Sequence, residues 1–284
     1  MKQGITVFAV CSFLLLPLIS RAQTFYGYGS QQRSLILHGG LGTSSYFGDL
    51  KDPGDLIDAK PTVSIGLQNY FWPRLSVRGE LSMFTLKGDD ASSDDPGRQV
   101  RNLSFKSTNF ELNMVFMADL FPHAGRRFYQ RPNFNAYAFA GVGLMYMNPR
   151  AELNGKMYAL QPLKTENVSY SRFQPVIPYG IGFRIKVNPF MNIGIESGWR
   201  LTFTDYIDDV STVHPDKTGW DPIRAQLSDR SDVGFKPGHV RGDPNNNDAF
   251  HSLTLKIEYY LPYNFLFGDY YKKLYTIPRR PAHR

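Results

Sequence analysis

The chain has 284 residues, a formal charge of +7, 25 glycines and an aromatic content of 14%. Its single cysteine, Cys11, excludes an internal disulfide framework and a cysteine-ligated metal. No stretch after residue 22 stays apolar for the roughly 18 residues that a membrane helix needs, yet the aromatic and glycine content suits a chain of many aromatic-flanked strands.

Residues 1–22 read as a secretory signal peptide. Lys2 supplies the basic start, residues 5–20 an apolar core too short to span, and "SRAQ" a small-x-small cleavage site before Gln23. Without Lys2 and Arg21 the charge is +5. Most of it lies in residues 263–284, where Lys272, Lys273, Arg279, Arg280 and Arg284 face Asp269 alone. A basic tail can bind nucleic acid, but a secreted protein meets little of it. Anionic headgroups or an acidic protein are the expected partners.

In chain order, eight stretches alternate apolar and polar residues with a period of two, which marks a strand. They are 34–45, 63–68, 75–83, 110–116, 134–147, 177–187, 191–203 and 253–259. The seventh is the clearest. It sets Met191, Ile193, Ile195, Trp199, Leu201 and Phe203 against Asn192, Gly194, Glu196, Gly198, Arg200 and Thr202. Several runs exceed the five or six residues usual in soluble strands and match the roughly 9–11 of a tilted membrane-crossing strand. Strands in lipid must close on themselves, because no unpaired edge is tolerated there.

The expected fold is therefore all-β: an eight-stranded antiparallel transmembrane β-barrel of the outer-membrane type over 23–262, after the signal peptide and before a basic aromatic tail. Connections support it. The segments 46–60, 88–103, 150–174 and 207–249 are long, while 72–74 and 188–191 are minimal, as the two ends of such barrels require. Segment 120–133 is longer than its side of the barrel predicts. Both termini are expected in the periplasm of a cell outer membrane. A soluble β-sandwich is the other candidate, and it leaves the strand lengths unexplained.

The inward face gathers Arg78, Arg184, Lys186, Arg200 and Lys256 with Glu80, Glu111, Glu196 and Glu258. Charges in so narrow a lumen should pair, since an unpaired buried charge is costly. They predict a salt-bridged plug, with Gly180, Gly182, Gly194 and Gly198 leaving room for long side chains. His38 is expected among them as a hydrogen-bonding partner.

Chemistry-bearing clusters are few. "RLTFTDYIDDVS" brings Asp205, Asp208 and Asp209 together as strand seven emerges. Oxygen ligands of this kind suit calcium, but the EF-hand spacing is absent, and a polar rim paired with backbone or arginine is the simpler reading. "FHSL" sets His251 beside Ser252, the residue types of nucleophilic catalysis, on opposite faces of one strand. A small outer-membrane lipid A-modifying enzyme, a deacylase or acyltransferase, is thus the alternative function. His214 and His239 share a long loop and could meet. "GGLGTSSYFGD" lacks the lysine and helix of a phosphate loop. No cofactor, metal or catalytic site is expected.

Two stretches, "HGGLGTSSYFGDL" (38–50) with Tyr46, Gly48 and Asp49, and "RLTFTDYIDDVS" (200–211) with Arg200, Thr204, Asp205, Tyr206, Asp208 and Asp209, resemble the PorG family of outer-membrane barrels. The resemblance implies a non-enzymatic barrel of the type IX secretion and gliding apparatus, set in outer-membrane lipid. It also implies docking against periplasmic lipoprotein and ring proteins. Under it the two motifs stand on strands one and seven as neighbours across the barrel seam; the basic tail 263–284 and the loop 207–249 do not map onto the family pattern. On its own chemistry, aromatic anchors beside cations, the tail with Lys272, Lys273, Arg279 and Arg280 is a candidate docking peptide.

Overall fold

A computed structural model describes residues 35–51, 60–123 and 131–261. The expected signal peptide and the tail with Lys272, Lys273, Arg279 and Arg280 lie outside the described residues. The strands are β1 (Leu35–Phe47), β2 (Lys60–Tyr70), β3 (Leu75–Asp89), β4 (Ser104–Asp119), β5 (Phe134–Tyr146), β6 (Pro149–Leu153), β7 (Lys156–Ala159), β8 (Phe173–Asn188), β9 (Met191–Thr202) and β10 (Ala249–Tyr260). Eight of them form one antiparallel sheet, in which β5 pairs with β8 and β10 returns to β1. The β3–β4 pairing completes the ring. The result is a closed eight-stranded barrel.

The period-two pattern shows directly in burial. Along β10, Phe250, Ser252, Thr254, Lys256, Glu258 and Tyr260 are buried in the lumen, while Leu253, Leu255, Ile257 and Tyr259 are exposed. The same holds around the ring: Ile65, Leu81, Leu112, Val142, Ile181 and Ile195 all stand outward and exposed. An outward apolar belt on a sheet without free edges is the arrangement lipid demands. Aromatics flank the belt. Trp72, Phe121 and Phe190 stand at the end with short turns, and Phe173 and Phe203 at the end with long loops. Near the latter, Phe47 packs on Trp199, their rings 5.0 Å apart. Among the described residues no helix is long and apolar enough to cross a membrane.

Two features depart from the sequence reading. β3, β4 and β8 run to 15, 16 and 16 residues. At about 3.3 Å per residue the longest measure roughly 50 Å, so tilted staves overrun an apolar band of about 25 Å and continue into the loops. The second departure is the β6–β7 hairpin, expected as plain loop, which hangs from the loop end of β4 through Lys106 and Ser107. Its turn is Asn154–Gly155, with φ of 53° and 76°. An Asn-Gly pair is the residue choice for a two-residue hairpin turn of this kind, so the signal was present in "ELNGKM".

The loop end is itself folded. It carries the hairpin and two short helices, α1 (Pro96–Arg101) and α2 (Pro222–Ser228), each opened by an aspartate cap and a proline. Its apolar core joins strand ends to loops: Tyr46, Phe84, Phe105 and Phe250 pack with Leu103, Met147, Leu160, Ile207, Val210 and Leu227.

Candidate functional site

The axis of the barrel is filled in layers. At the turn end, His123 lies between Tyr70 and Tyr260, with ring centroids at 4.4 and 5.6 Å. Arg131 packs over the Tyr260 ring at 4.2 Å. Its guanidinium donates to Asn192 and to the carbonyls of Asn188, Pro189 and Met191. Both residues belong to segment 120–133, and their side chains pack across the mouth. Burial and the nearby Arg131 hold His123 down at about 4, so it stays a neutral ring.

The next layer holds Arg184, which meets Asp119 at 2.8 Å and Glu258 at 3.3 Å. Above it Arg78 grips Glu196 with two bonds of 2.6 and 3.0 Å. Lys256 binds Glu80 at 2.6 Å and stands 3.7 Å from Glu196. His38 lies 3.3 Å from Glu80, outside hydrogen-bonding geometry. Higher still, Arg200 stands 3.4 Å from Glu111 and donates to Ser252. A β-carbon at Gly182 would collide with the Tyr137 ring, whose hydroxyl donates to Glu196 at 3.0 Å.

Eight of the nine lumen charges expected from sequence are thus buried and in contact with one another or with Asp119. Lys186 is the exception. It is half-buried near the turn end and donates to the Arg131 carbonyl at 3.2 Å. Asp119 escapes the sequence reading because the legible alternation ends at Phe116, two inward positions, Met117 and Asp119, short of the end of β4. With the axis occupied from His123 to Phe250, the protein is expected to give no steady conductance in planar-bilayer recordings. A stable open channel would contradict this packing.

The aspartates of 205–209 do not crown an open rim. They are buried inside the loop cap, because 203–248 folds back over them. Asp208 Oδ2 accepts from the Tyr46 hydroxyl at 2.7 Å, and Asp248 Oδ1 lies 2.7 Å from the same oxygen. Asp209, at φ 70°, accepts from the hydroxyls of Thr165 and Tyr170, the latter at 2.6 Å. Its carbonyl accepts from Arg241 at 2.6 Å. Asp205 is buried and its Oδ2 has no hydrogen-bond partner. Thr204 accepts Asp248 N through its carbonyl at 3.1 Å, and Tyr206 stacks on Tyr170 at 4.9 Å.

Glu166 is the hub that sequence reasoning overlooked. It accepts from Arg241 at 2.6 Å, from Ser211 N and Thr212 N, and from the hydroxyls of Thr212 and Tyr206. It lies in a loop without periodicity, so no pattern marked it.

Burial sets the acidity here. It pushes Asp205 up to about 7, aided by Asp49, Glu166 and Asp243 and opposed by Ser211. It pushes Asp209 up to about 6 against the opposing charge of Arg241. Asp208 and Asp248 rise well above the usual carboxylate range, first by burial.

The two motifs of the sequence do meet, through Tyr46 and Asp208. They do not meet as neighbouring strands, because β10 stands between β1 and β9. Gly48 is required beside them: a β-carbon there would overlap the Tyr46 hydroxyl and the Asp248 carboxylate. Asp49 accepts Asp243 N at 3.0 Å and so ties the first loop to the last.

The remaining candidates separate. His251 faces outward and Ser252 inward, so they do not form a pair. His251 Nε2 instead lies 2.8 Å from Ser197 Oγ on β9, on the outer surface. His214 and His239 do come together, ring centroids 6.1 Å apart, each against Phe235. Burial and Arg241 hold His214 at about 4. Among the described residues no three histidine, cysteine or carboxylate side chains are arranged to hold a metal ion.

Solved structures with detectable likeness include surface and outer-membrane proteins. Neisserial surface protein A is 8% identical, with 80% of this chain and 97% of that one covered and a TM-score of 0.43. A major outer membrane protein from Thermus thermophilus is 14% identical, with coverages of 80% and 98% and a TM-score of 0.41. Ail, the attachment invasion locus protein of Yersinia pestis, is 9% identical, with coverages of 80% and 99% and a TM-score of 0.40. No curated protein matches the sequence. The model of the DUF6089 family, a domain of unknown function, matches residues 26–229, and the chain belongs to that family.

Proposed function

We propose that this protein is a non-enzymatic docking barrel of the outer membrane, a component of the type IX secretion and gliding apparatus. It engages periplasmic lipoprotein and ring partners at its turn end. The observation that carries the reading is the filled axis: a barrel packed with ion pairs, with His123 and Arg131 packed at one mouth, offers its ends as surfaces, not its interior as a path. The family resemblance supports the finer assignment, because Tyr46 and Asp208, one from each of the two stretches quoted for it, meet in a buried contact.

The first and last described strand ends, Leu35 and Leu261, are joined by a 2.9 Å backbone bond at the turn end. In this reading that end faces the periplasm and the basic tail starts there. Co-purification from detergent-solubilised outer membrane is the test. The expected result is retention of periplasmic lipoprotein partners. Deletion of 272–284 is expected to leave the barrel inserted and weaken that retention, with a salt dependence in the intact protein. Unchanged retention at the same salt would remove the tail from the interface, and loss of all lipoprotein partners from the intact protein would overturn the docking role.

The Ser197–His251 pair keeps the lipid A-modifying reading as a second candidate. Serine and a base within hydrogen-bond reach is the geometry of an activated nucleophile, and this pair faces the lipid side. Mass spectra of lipid A from cells carrying Ser197→Ala or His251→Ala separate the readings, since the docking barrel leaves lipid A unchanged.

A further inference from the structure

One contact in the cap cannot be made by fully ionised groups. The Tyr46 hydroxyl lies 2.7 Å from an oxygen of Asp208 and 2.7 Å from an oxygen of Asp248. A phenol carries one hydrogen. It donates to one carboxylate, and the other acid needs a hydrogen of its own to make a bond at that distance. The outer oxygens of both acids are already engaged, Asp208 Oδ1 by Val210 N and Asp248 Oδ2 by Ile207 N, each at 2.9 Å. Both acids are buried to about 1% exposure.

The surroundings do not neutralise the pair. Asp49, from the segment after β1, adds negative charge to both acids, and Asp205 adds it to Asp248. Tyr170, from the 147–172 loop, feels Asp208. Arg101, at the end of α1, is the cation whose field reaches Asp208, but its guanidinium is held by Asp90 at 2.7 and 2.8 Å. Two acids facing one phenol in a closed site cannot both ionise at low cost.

We propose that Asp208 and Asp248 form a proton-binding site that latches the long loop over the barrel mouth, one proton being held between them through Tyr46. The placement suits a latch. Asp208 stands near the start of the 203–248 segment and Asp248 at its end, so one node pins both roots of the loop to β1. When the proton leaves, Tyr46 faces two anions and can satisfy only one, and the loop is freed. This is independent of the docking role.

The direction of the pH effect follows from burial, which raises both acids. In the open loop they titrate near the ordinary value of about 3.9. Between that value and the closed-state value the closed form binds one proton more than the open form. Opening is therefore favoured about tenfold for each pH unit gained in that window. The latch tightens in acid and loosens as pH rises.

The test uses the full mature chain folded in detergent micelles. Amide hydrogen exchange of peptides from 203–248, corrected for the intrinsic chemical rate, is followed from pH 5 to 8. The wild-type loop is expected to lose protection as pH rises, Asp205 and Asp209 adding to the effect with the same sign, while β3 and β4 peptides stay protected. Asp248→Asn and Asp208→Asn each keep the acceptor for the backbone N–H and offer Tyr46 a permanent donor, so each is expected to make the slope shallower than wild type and to leave the loop better protected at pH 8. A wild-type loop with pH-independent protection, or either variant with the wild-type slope, overturns the proposal. Infrared spectra supply a measurement that needs no variant. A buried protonated carboxyl band is expected in the wild-type protein at pH 7, and its absence overturns the proposal as well.

Discussion

Replacing Glu196 with alanine is expected to cost the barrel about 3–5 kcal/mol, the range for stripping a buried charge of its partner. Arg78 is 3% exposed and spends two guanidinium hydrogens on Glu196. Lys256 stands 3.7 Å from the same carboxylate, and Tyr137 donates to it. Removing it leaves two cations in one layer with Glu80 as the shared anion, and a buried phenol without an acceptor. Urea unfolding in lipid vesicles, read by the heat-modifiable gel shift of the intact barrel, is the measurement. Removing both charges with apolar residues of similar volume, Arg78→Met with Glu196→Leu, is expected to recover most of the loss, because the desolvation of both ions is then avoided. A Glu196→Ala barrel as stable as wild type would mean that the lumen is wet and its charges screened.

The second large effect belongs to the cap. Glu166→Ala is expected to destabilise the closed long loop by about 3–5 kcal/mol while leaving the barrel intact. Arg241 is 2% exposed and loses its carboxylate at 2.6 Å. Two backbone N–H groups and two hydroxyls lose their acceptor at the same time. Tryptic cleavage at Lys217, Arg224, Arg230 and Lys236 should become rapid, with the gel shift of the barrel unchanged. Equal cleavage rates in variant and wild type would show that the cap does not depend on this hub.

What the sequence revealed follows from what repeats. A period of two reports which side of a sheet each residue takes, so the strands, the outward Ile, Leu and Phe, and the inward Arg78, Glu80, Glu111, Arg184, Glu196, Lys256 and Glu258 could all be read from alternation. It also placed His251 and Ser252 on opposite sides. Alternation is silent about loops. The burial of Asp205, Asp208 and Asp209 depends on a segment of some forty residues folding back, and Tyr46, Glu166 and Arg241 join them there from three separate places in the chain. The packing of His123 and Arg131 against Tyr260 at the turn end is likewise a contact between distant residues, which no local preference records. The Asn154–Gly155 turn is legible in its residue pair, although no alternation surrounds it.

The contact between Tyr46 and Asp248 joins residues 202 positions apart, and it sits beside the β1–β10 pairing that shuts the ring. Contacts of such separation form late in folding, after the intervening chain has been ordered. The cap can therefore be completed only in a chain whose first and last strands have found each other. Until then the apolar core under the long loop, which draws Tyr46 from one end and Phe250 from the other, has no floor to settle on. The loop thus acts as a stamp of completed assembly: exposed and cleavable on an unfinished barrel, sealed on a finished one.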